Sequence, residues 1–268
     1  MAIVTLTTDF GYAEPYVGVM KGVMLGINRA ITFVDLTHGV EARNIRQAAF
    51  ALAYAAPWFP EGAIHLAVVD PGVGTQRKAL ALEADGQFFV GPDNGILTLV
   101  IARAGKWRAD EIANPELSLH EISGTFHGRD VFAPAAAWLS RGGVPLEAFG
   151  PPVAGPERLA QTHAMRSAGN LIEGEVVHTD HFGNAITNIS RELVEQMERE
   201  LEPDDGLEII VGSVTAPGMV KTYSDAPDST SLWATFSSGG AIELFVRGGS
   251  AARLFGLKAG DHVEVRFF

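Results

Sequence analysis

The sequence predicts an α/β fold in which a larger amino-terminal domain with a mainly parallel sheet is followed by a smaller β domain. Over residues 1–155, strand-like apolar runs alternate with segments of helical periodicity, which is typical of βαβ units. From 170 to 268 the apolar runs are short and separated by turn residues, which is typical of a small β domain. A Pro/Gly-rich stretch precedes residues 156–169, which we therefore expect to be a linker.

Each predicted strand and helix of the first domain has its own local sequence pattern. Residues 2–7 combine alternation with β-branched side chains, and Val17, Met20 and Met24 have helical spacing. Pro57 closes a later helix. Strands are expected at 2–7, 31–36, 63–69, 79–83 and 88–90, and helices at 16–28, 44–56, 96–103 and 131–139.

The second domain shows only β-like runs. Turns rich in Gly, Asp, Pro and Ser separate them, so each run has the length of a short strand. Strands are expected at 171–178, 185–189, 207–213, 241–246 and 262–268.

Composition narrows the class of protein. The chain has 268 residues, 47% hydrophobic and 19% charged, which is typical of a globular protein with a sizeable core. A net charge of −12 argues against a nucleic-acid partner. The absence of cysteine excludes disulfides, thiolate metal sites and cysteine nucleophiles. With no apolar run of about 18 residues and no basic leader, we expect a soluble cytoplasmic protein without membrane contact.

Aspartates stand at the ends of four predicted strands, and one of them opens the most distinctive stretch of the chain. Asp70 is followed by a glycine-rich turn and, seven positions later, by Arg77. A carboxylate at the carboxyl end of a buried strand faces the crevice where open α/β sheets bind ligands. A purely structural turn is the alternative. The four residues are Asp9, Asp35, Asp70 and Asp93; their spacing favours no metal site, and no P-loop or dinucleotide fingerprint occurs.

His127 lies between two glycines directly before an apolar helix. A histidine in this position is either a packing or capping residue or an exposed catalytic group. Together with Asp70 and Arg77 it would supply an acceptor, a fixed cation and a titratable donor, a set able to hold and polarise one water molecule. Spacing alone leaves open whether the three side chains meet.

A second candidate site lies in the β domain, in the stretch from Thr179 to Ile189. The bland interpretation is a turn made by Asp and Asn side chains. The functional one is a purine clamp in which Phe182 stacks on a base and Asn184 pairs with its edge. The loops 237–240 and 247–252 offer free backbone donors, which is a weak signal by itself.

Taken together, these stretches resemble the S-adenosylmethionine (SAM) hydrolases, also called SAM hydroxide adenosyltransferases, which are relatives of the fluorinases and chlorinases. The matching motifs are collinear and span almost the whole chain. They are Thr8–Gly11, Tyr16–Gly22, Val69–Gly74 with Arg77, Gly91–Gly95, Thr125–Asp130 and Asp180–Asn188.

The resemblance implies an amino-terminal α/β domain, a carboxy-terminal β-barrel-like domain and a homotrimer whose sites lie at subunit interfaces. It places the catalytic set on Asp70, Arg77 and His127, and it implies neither a cofactor nor a metal. The ribose contact falls on Asp9, beside Phe10, and the methionine contacts on Asp180 and Ser238. The adenine contacts implied are Phe182, Asn184, Arg247 and Ala251, while Glu14 stands where the family has an aspartate.

The expected function is hydrolysis of S-adenosyl-L-methionine to adenosine and L-methionine by in-line attack of an activated water on the ribose 5′-carbon. A halide-using adenosyl transferase of the chlorinase type is one alternative. A non-catalytic protein that binds SAM or adenosine is the other.

Overall fold

The computed structural model describes residues 2–160, 164–167, 169–201 and 206–268. The chain divides into two compact units, Met1–Ala160 and Gln161–Phe268. Of the predicted linker 156–169, residues 161–163 and 168 lie outside the described residues, and Met165–Arg166 form a short strand.

The first unit is built on a mixed sheet. Within residues 2–160 its six strands have the order β2-β1-β3-β5-β4-β6. The pairs β2–β1, β1–β3 and β3–β5 are parallel, whereas β4 pairs antiparallel with β5 and β6. The expected mainly parallel sheet is therefore confirmed. The strands are β1 (Ala2–Thr8), β2 (Ile31–Thr37), β3 (Ile64–Val68), β4 (Ala79–Ala84), β5 (Gln87–Pro92) and β6 (Trp107–Glu111).

Helices contribute to an apolar core on each face of this sheet. Successive side chains of a strand point to opposite faces, so Ala67 and Val68, neighbours in β3, belong to different core clusters. Val68 packs in the cluster that contains Met20 and Met24, and Ala67 in the cluster that contains Leu52. The helices of this unit are α1 (Tyr16–Ile27), α2 (Ile45–Ala55), α3 (Thr98–Arg103) and α4 (Ala133–Arg141).

Two details of the first unit differ from expectation. Strand β6 was not predicted, because its sequence Trp-Arg-Ala-Asp-Glu carries no apolar run; it is an edge strand held by backbone pairing with β4. Asp35 lies inside β2, which continues to Thr37, so its side chain is not at a strand end.

The second unit is an antiparallel, nearly closed sheet. Its eight described strands include the ordered path β11-β10-β14-β8-β9-β13-β12, with β7 paired to β8. Val220 N donates to Ala234 O at 2.8 Å, which links the segment after β11 to β12 at the other end of the path. The barrel-like expectation is confirmed. The strands are β7 (Met165–Arg166), β8 (Leu171–Thr179), β9 (Ala185–Ser190), β10 (Leu207–Val211), β11 (Val214–Ala216), β12 (Trp233–Phe236), β13 (Ala241–Phe245) and β14 (His262–Phe267).

Two helices of this unit were not predicted. Helix α5 (Arg191–Leu201) is amphipathic and packs Leu193, Val194, Met197 and Leu201 against the barrel core, so its helical spacing is present in the sequence and was overlooked among the β-like runs. Helix α6 (Ala251–Phe255) is a short segment capped by Ser250, whose Oγ accepts a hydrogen bond from Arg253 N. In the described part of the chain, no helix combines the length and apolarity that a membrane crossing requires.

Candidate functional site

A cleft of about 820 Å³ opens in the first unit where strands β1 and β3 end. Asp9 directly follows β1, and Asp70 comes two residues after β3. Because these strands are parallel neighbours, their carboxyl ends bring the two carboxylates to one edge of the sheet. The cleft has a volume suited to a small molecule. Its walls are formed by Asp9, Phe10, Tyr16, Arg43, Val68, Asp70, Pro71, Val73, Ser123, Thr125, Phe126, His127, Gly128 and Arg129.

Arg77 donates two parallel hydrogen bonds to Asp70. Nε of Arg77 donates to Oδ1 of Asp70 at 2.8 Å, and Nη2 donates to Oδ2. The side chains are 6% exposed for Asp70 and 10% for Arg77, so the pair is largely shielded from solvent. A forked arginine–carboxylate contact of this kind fixes orientation as well as charge. Asp70 is part of the cleft wall, whereas Arg77 contacts Asp70 but does not itself line the cleft.

The same guanidinium reaches His127. Nη2 of Arg77 lies 2.8 Å from Nδ1 of His127. Arginine can only donate, so Nδ1 is the acceptor and the ring proton sits on Nε2. Burial, followed by the neighbouring Arg77 cation, lowers the pKa of His127. The imidazole is therefore held neutral, with an N–H donor on its far nitrogen.

Two glycine-rich loops must approach closely to bring these three side chains together. Gly74 has φ +76°, and a Cβ added there would overlap the carbonyl oxygen of Gly124. Glycine alone fits this position, because it tolerates the left-handed backbone and leaves room for the second loop. The Arg77 guanidinium also lies over the buried Phe132 ring, 5.1 Å from its centroid.

The loop that carries His127 is held in place by Arg129 and Asp130, which follow it in the chain and form an ion pair. Asp130, which is fully buried, accepts from Ser123 N at 2.8 Å and from Arg129 Nε at 2.5 Å. Residues Gly128–Phe132 form a π-helical turn, a rare geometry that is frequent at functional sites. The turn sets the position of His127 at the start of the helical segment.

Asp9 is positioned by a strained partner. Oδ2 of Asp9 accepts from the backbone N–H of Arg43 at 2.8 Å, and Arg43 has φ +67°, uncommon for a non-glycine residue. Phe10 stands beside it, with edge-to-face contacts to Tyr16 and Phe126 at 5.8 and 5.9 Å between ring centroids. Sequence reasoning missed Arg43 as a site residue, since its positive φ has no signature in the sequence.

The other two aspartates of the strand-end set lie away from the cleft. Asp35 is paired with Lys21 at 2.7 Å, and Asp93 accepts from the backbone N–H of Glu157 at 2.7 Å. Both carboxylates therefore make structural contacts within the first unit. The structure thus brings Asp9 and Asp70 to the cleft but not Asp35 or Asp93.

In the second unit, Asp180 and Asn184 close a tight turn. Asp180 N donates to Asn184 O at 3.0 Å, and Asn184 N donates to Asp180 Oδ1 at 2.8 Å. Phe182 projects from this turn and is 74% exposed. The turn expected from Asp and Asn is therefore present, and it also presents an aromatic face.

The Asn184 side chain is held by a residue that sequence reasoning missed. Its Nδ2 donates to Oε1 of Glu243 at 2.8 Å, and Tyr223 Oη donates to the same oxygen at 2.7 Å. Glu243 is 4% exposed, and burial raises its pKa. The signal available in sequence is a charged residue inside the apolar run of strand β13.

The remaining residues predicted for the second unit occupy neighbouring loops. Ala252 N donates to Gly183 O at 2.9 Å, so the start of α6, where Ala251 lies buried, adjoins the Asp180–Asn184 turn. Arg247 Nη1 donates to Ala226 O at 2.7 Å. Ser238 is exposed in the turn between β12 and β13.

No group of three or more metal-ligating side chains occurs among the described residues. The cleft is lined by charged and hydrogen-bonding groups, among them Asp9, Asp70, His127 and Arg129. The His127 imidazole and the Asp70 carboxylate both line this cleft, and the Arg77 guanidinium contacts both of them. Such a set can orient a water molecule and stabilise negative charge that develops on it.

Fold and cleft together define a two-unit protein of α/β and β-barrel type with an Asp–Arg–His set at the strand ends. The chain belongs to the SAM hydroxide adenosyltransferase family. The model of the family's amino-terminal domain matches residues 4–150, and that of its carboxy-terminal domain matches residues 174–264. The family resemblance drawn from the sequence is confirmed.

Individual relatives agree with this assignment. An (R)-S-adenosyl-L-methionine hydrolase of Salinispora tropica is 38% identical over 98% of this chain and 97% of its own. A fluorinase of Nocardia brasiliensis is more distant, 28% identical over 98% of this chain and 96% of its own. The crystal structure of an uncharacterized conserved protein from Thermotoga maritima superposes with a TM-score of 0.88 at 38% identity, covering 98% of this chain and 99% of that one.

Proposed function

We propose that this protein is an S-adenosyl-L-methionine hydrolase that forms adenosine and L-methionine. Membership of the family and the 38% identity to a named hydrolase over nearly the full chain support this function. The observation that carries the mechanism is the contact of one guanidinium, that of Arg77, with both Asp70 and His127.

The reaction is an in-line displacement at the ribose 5′-carbon. A bond forms from the water oxygen to this carbon while the bond from carbon to sulfur breaks. The electron pair of the broken bond passes to the sulfonium, which leaves as the neutral thioether of methionine, and the water gives up one proton. Since the leaving group is already activated, the protein has to supply alignment and a stronger nucleophile.

We assign a different chemical role to each of the three residues. Both N–H bonds of Arg77 Nη2 are engaged by Asp70 and His127, so Arg77 acts behind them as a positioning cation. On this proposal His127, which lines the cleft, donates from Nε2–H to the attacking oxygen, and Asp70 accepts a proton from the water with its remaining lone pairs. The nearby positive charge stabilises the hydroxide-like oxygen.

The substrate contacts are proposed on both units. Asp9 would accept the ribose hydroxyls, with Phe10 packing beside them, and both line the cleft. The exposed Phe182 ring and Asn184 suit a purine base. On the same proposal, Arg247 and Ala251 complete the adenine side, and Asp180 and Ser238 contact the methionine end; no cofactor is invoked.

We further propose a homotrimer with sites shared between subunits, located in the cytoplasm. The support is the family resemblance together with the distribution of the proposed contacts over two separate units. Complementation tests the shared site: inactive D70A and N184A chains are mixed after dissociation and reassembly. Partial return of activity requires sites built from two subunits, whereas complete sites within single chains would leave the mixture inactive.

The direct test of function is incubation with SAM followed by chromatography for adenosine and methionine, with D70A, R77A and H127A as variants. We expect stoichiometric products and at least about tenfold lower turnover in each variant. A 5′-halogenated adenosine that appears only with added halide would indicate the transferase alternative. Tight binding of SAM without any product would indicate a binding protein.

A further inference from the structure

Glu243 is a buried charge that the proposed reaction does not use. It lies in the middle of strand β13 and is 4% exposed. Charged side chains are almost never buried this deeply without a specific partner. Its partners are two hydrogen-bond donors, Asn184 Nδ2 at 2.8 Å and Tyr223 Oη at 2.7 Å, and both bind the same oxygen, Oε1.

These contacts determine which end of the Asn184 amide faces outward. A carboxylate accepts hydrogen bonds and cannot donate them, so the NH₂ of Asn184 has to point toward Glu243. A second carboxylate, Asp180, lies on the same side, with Oδ2 at 3.4 Å from Nδ2. The carbonyl oxygen Oδ1 of Asn184 accepts no hydrogen bond from any described residue.

Reversing the amide would be costly. It would place Oδ1 of Asn184 against Oε1 of Glu243, two acceptors with no proton between them. Glu243 cannot turn aside at no cost, because Tyr223 holds the same oxygen. The carboxylate therefore fixes Asn184 as a hydrogen-bond acceptor toward whatever ligand occupies the turn beside Phe182.

We propose that Glu243 is a specificity-determining residue that makes this site select a 6-amino purine over a 6-oxo purine. The proposal rests on the proposed function, in which Asn184 contacts the base. In SAM and adenosine the 6-amino group carries the only N–H donors of the base, and it matches a fixed acceptor. A 6-oxo group is itself an acceptor and needs the opposite amide orientation, which Glu243 opposes.

The test compares the Kd of adenosine with that of inosine by calorimetry, in the full-length protein. For the wild type we expect inosine to bind at least about tenfold more weakly, the usual effect of facing two acceptors in a buried site. In E243L the amide is free to reverse, so inosine should gain and the ratio should fall to within about threefold of unity.

Two further variants separate specificity from structural damage. E243Q keeps the shape of the side chain, but its amide can turn either an acceptor or a donor toward Asn184, so it should lower the preference without removing the packing. Thr235 lies directly opposite Glu243 in the neighbouring strand and is 5% exposed, so T235V disturbs the same buried region without removing the acceptor. It should keep the wild-type ratio.

The results distinguish the two proposals. If E243L discriminates as the wild type does, or if the wild type shows no preference, the role of Glu243 is overturned while the hydrolase function stands. If the wild type neither binds adenosine nor hydrolyses SAM, the proposed function fails and this inference fails with it. Should E243L not fold, E243A carries the same expectation, because alanine also removes the acceptor.

Discussion

Arg77 donates a hydrogen bond to Nδ1 of His127 across 2.8 Å, although the two residues are 50 positions apart in the chain. The same nitrogen of Arg77 also donates to Asp70. Arg77 therefore connects the loop that carries Asp70 with the loop that carries His127. It also determines that His127 is neutral and protonated on Nε2, because arginine has no acceptor to offer.

Replacing Arg77 by lysine should reduce turnover although the charge is kept. A lysine ammonium is a point charge and cannot reproduce the planar fork that holds Asp70 while also donating to His127. We expect R77K to lower kcat at least about tenfold, equivalent to about 1.4 kcal/mol, with little change in KM because Arg77 lies behind the cleft wall.

The matched control for this variant is R103K. Arg103 donates to the carbonyl of Ala53 at 2.9 Å, a contact that lysine can also make, and it lies outside the cleft. Steady-state kinetics with SAM should give near wild-type values for R103K. An R77K enzyme as active as R103K would contradict the bridging role.

The pH dependence of the reaction should follow the neutral state of His127. Burial and the Arg77 cation lower its pKa from 6.5, while Asp70 and Asp130 oppose this shift. Activity should be constant above pH 6.5 and fall as the pH drops through the lowered pKa, because the protonated ring no longer accepts from Arg77. The pH profile of kcat/KM measures this, and the midpoint of its acid limb should lie below 6.5.

The H127N variant checks that assignment. Asparagine has no titratable proton in this range, so the part of the acid limb that His127 causes should disappear while the remaining activity stays low. A limb that persists unchanged in H127N, or a wild-type midpoint above 6.5, would show that another group controls the profile.

Asp9 should determine recognition of the ribose hydroxyls. Hydrogen bonds to a charged acceptor are about twice as strong as neutral ones, and asparagine offers one acceptor atom instead of two. The wild type should therefore prefer adenosine over 2′-deoxyadenosine, and D9N should lose most of that preference. Calorimetric Kd values for both nucleosides measure the change.

The control for D9N is the same substitution at Asp35. This aspartate is held by Lys21 and does not line the cleft, so D35N should retain the wild-type preference for the ribose. Equal discrimination by the wild type and D9N would remove Asp9 from the ribose.

Gly74 should be needed for the approach of the two loops and not only for its own backbone conformation. G74A combines left-handed strain with overlap onto the Gly124 carbonyl, whereas G62A has a similar φ of +78° and open space around the added Cβ. Strain alone costs about 1–2 kcal/mol, so G62A should lose that much stability.

G74A should lose more stability than G62A and also lower kcat, because the loop bearing His127 has to move. Urea unfolding and SAM turnover of the two variants provide the comparison. If G74A and G62A lose equal stability and G74A keeps full activity, the loops tolerate separation and the close approach is not required.

Part of the candidate site could be predicted from neighbouring residues alone. Asp70 and Arg77 are joined by one glycine-rich turn, so seven positions of sequence already place them within reach of each other. The Asp180–Asn184 turn is equally local. The α/β fold could be predicted for a related reason, because helices and strands each give a periodic pattern of apolar side chains in consecutive residues.

Only the tertiary structure decided which of the distant residues meet. Asp9, Asp35, Asp70 and Asp93 look alike in sequence, yet only Asp9 and Asp70 reach the cleft, because strand order and strand length are set by packing across the sheet. Glu243 lies 59 positions from Asn184, and strand pairing within the barrel makes it a partner of that amide. Short-range patterns specify elements and turns, whereas contacts between them depend on how the whole core packs.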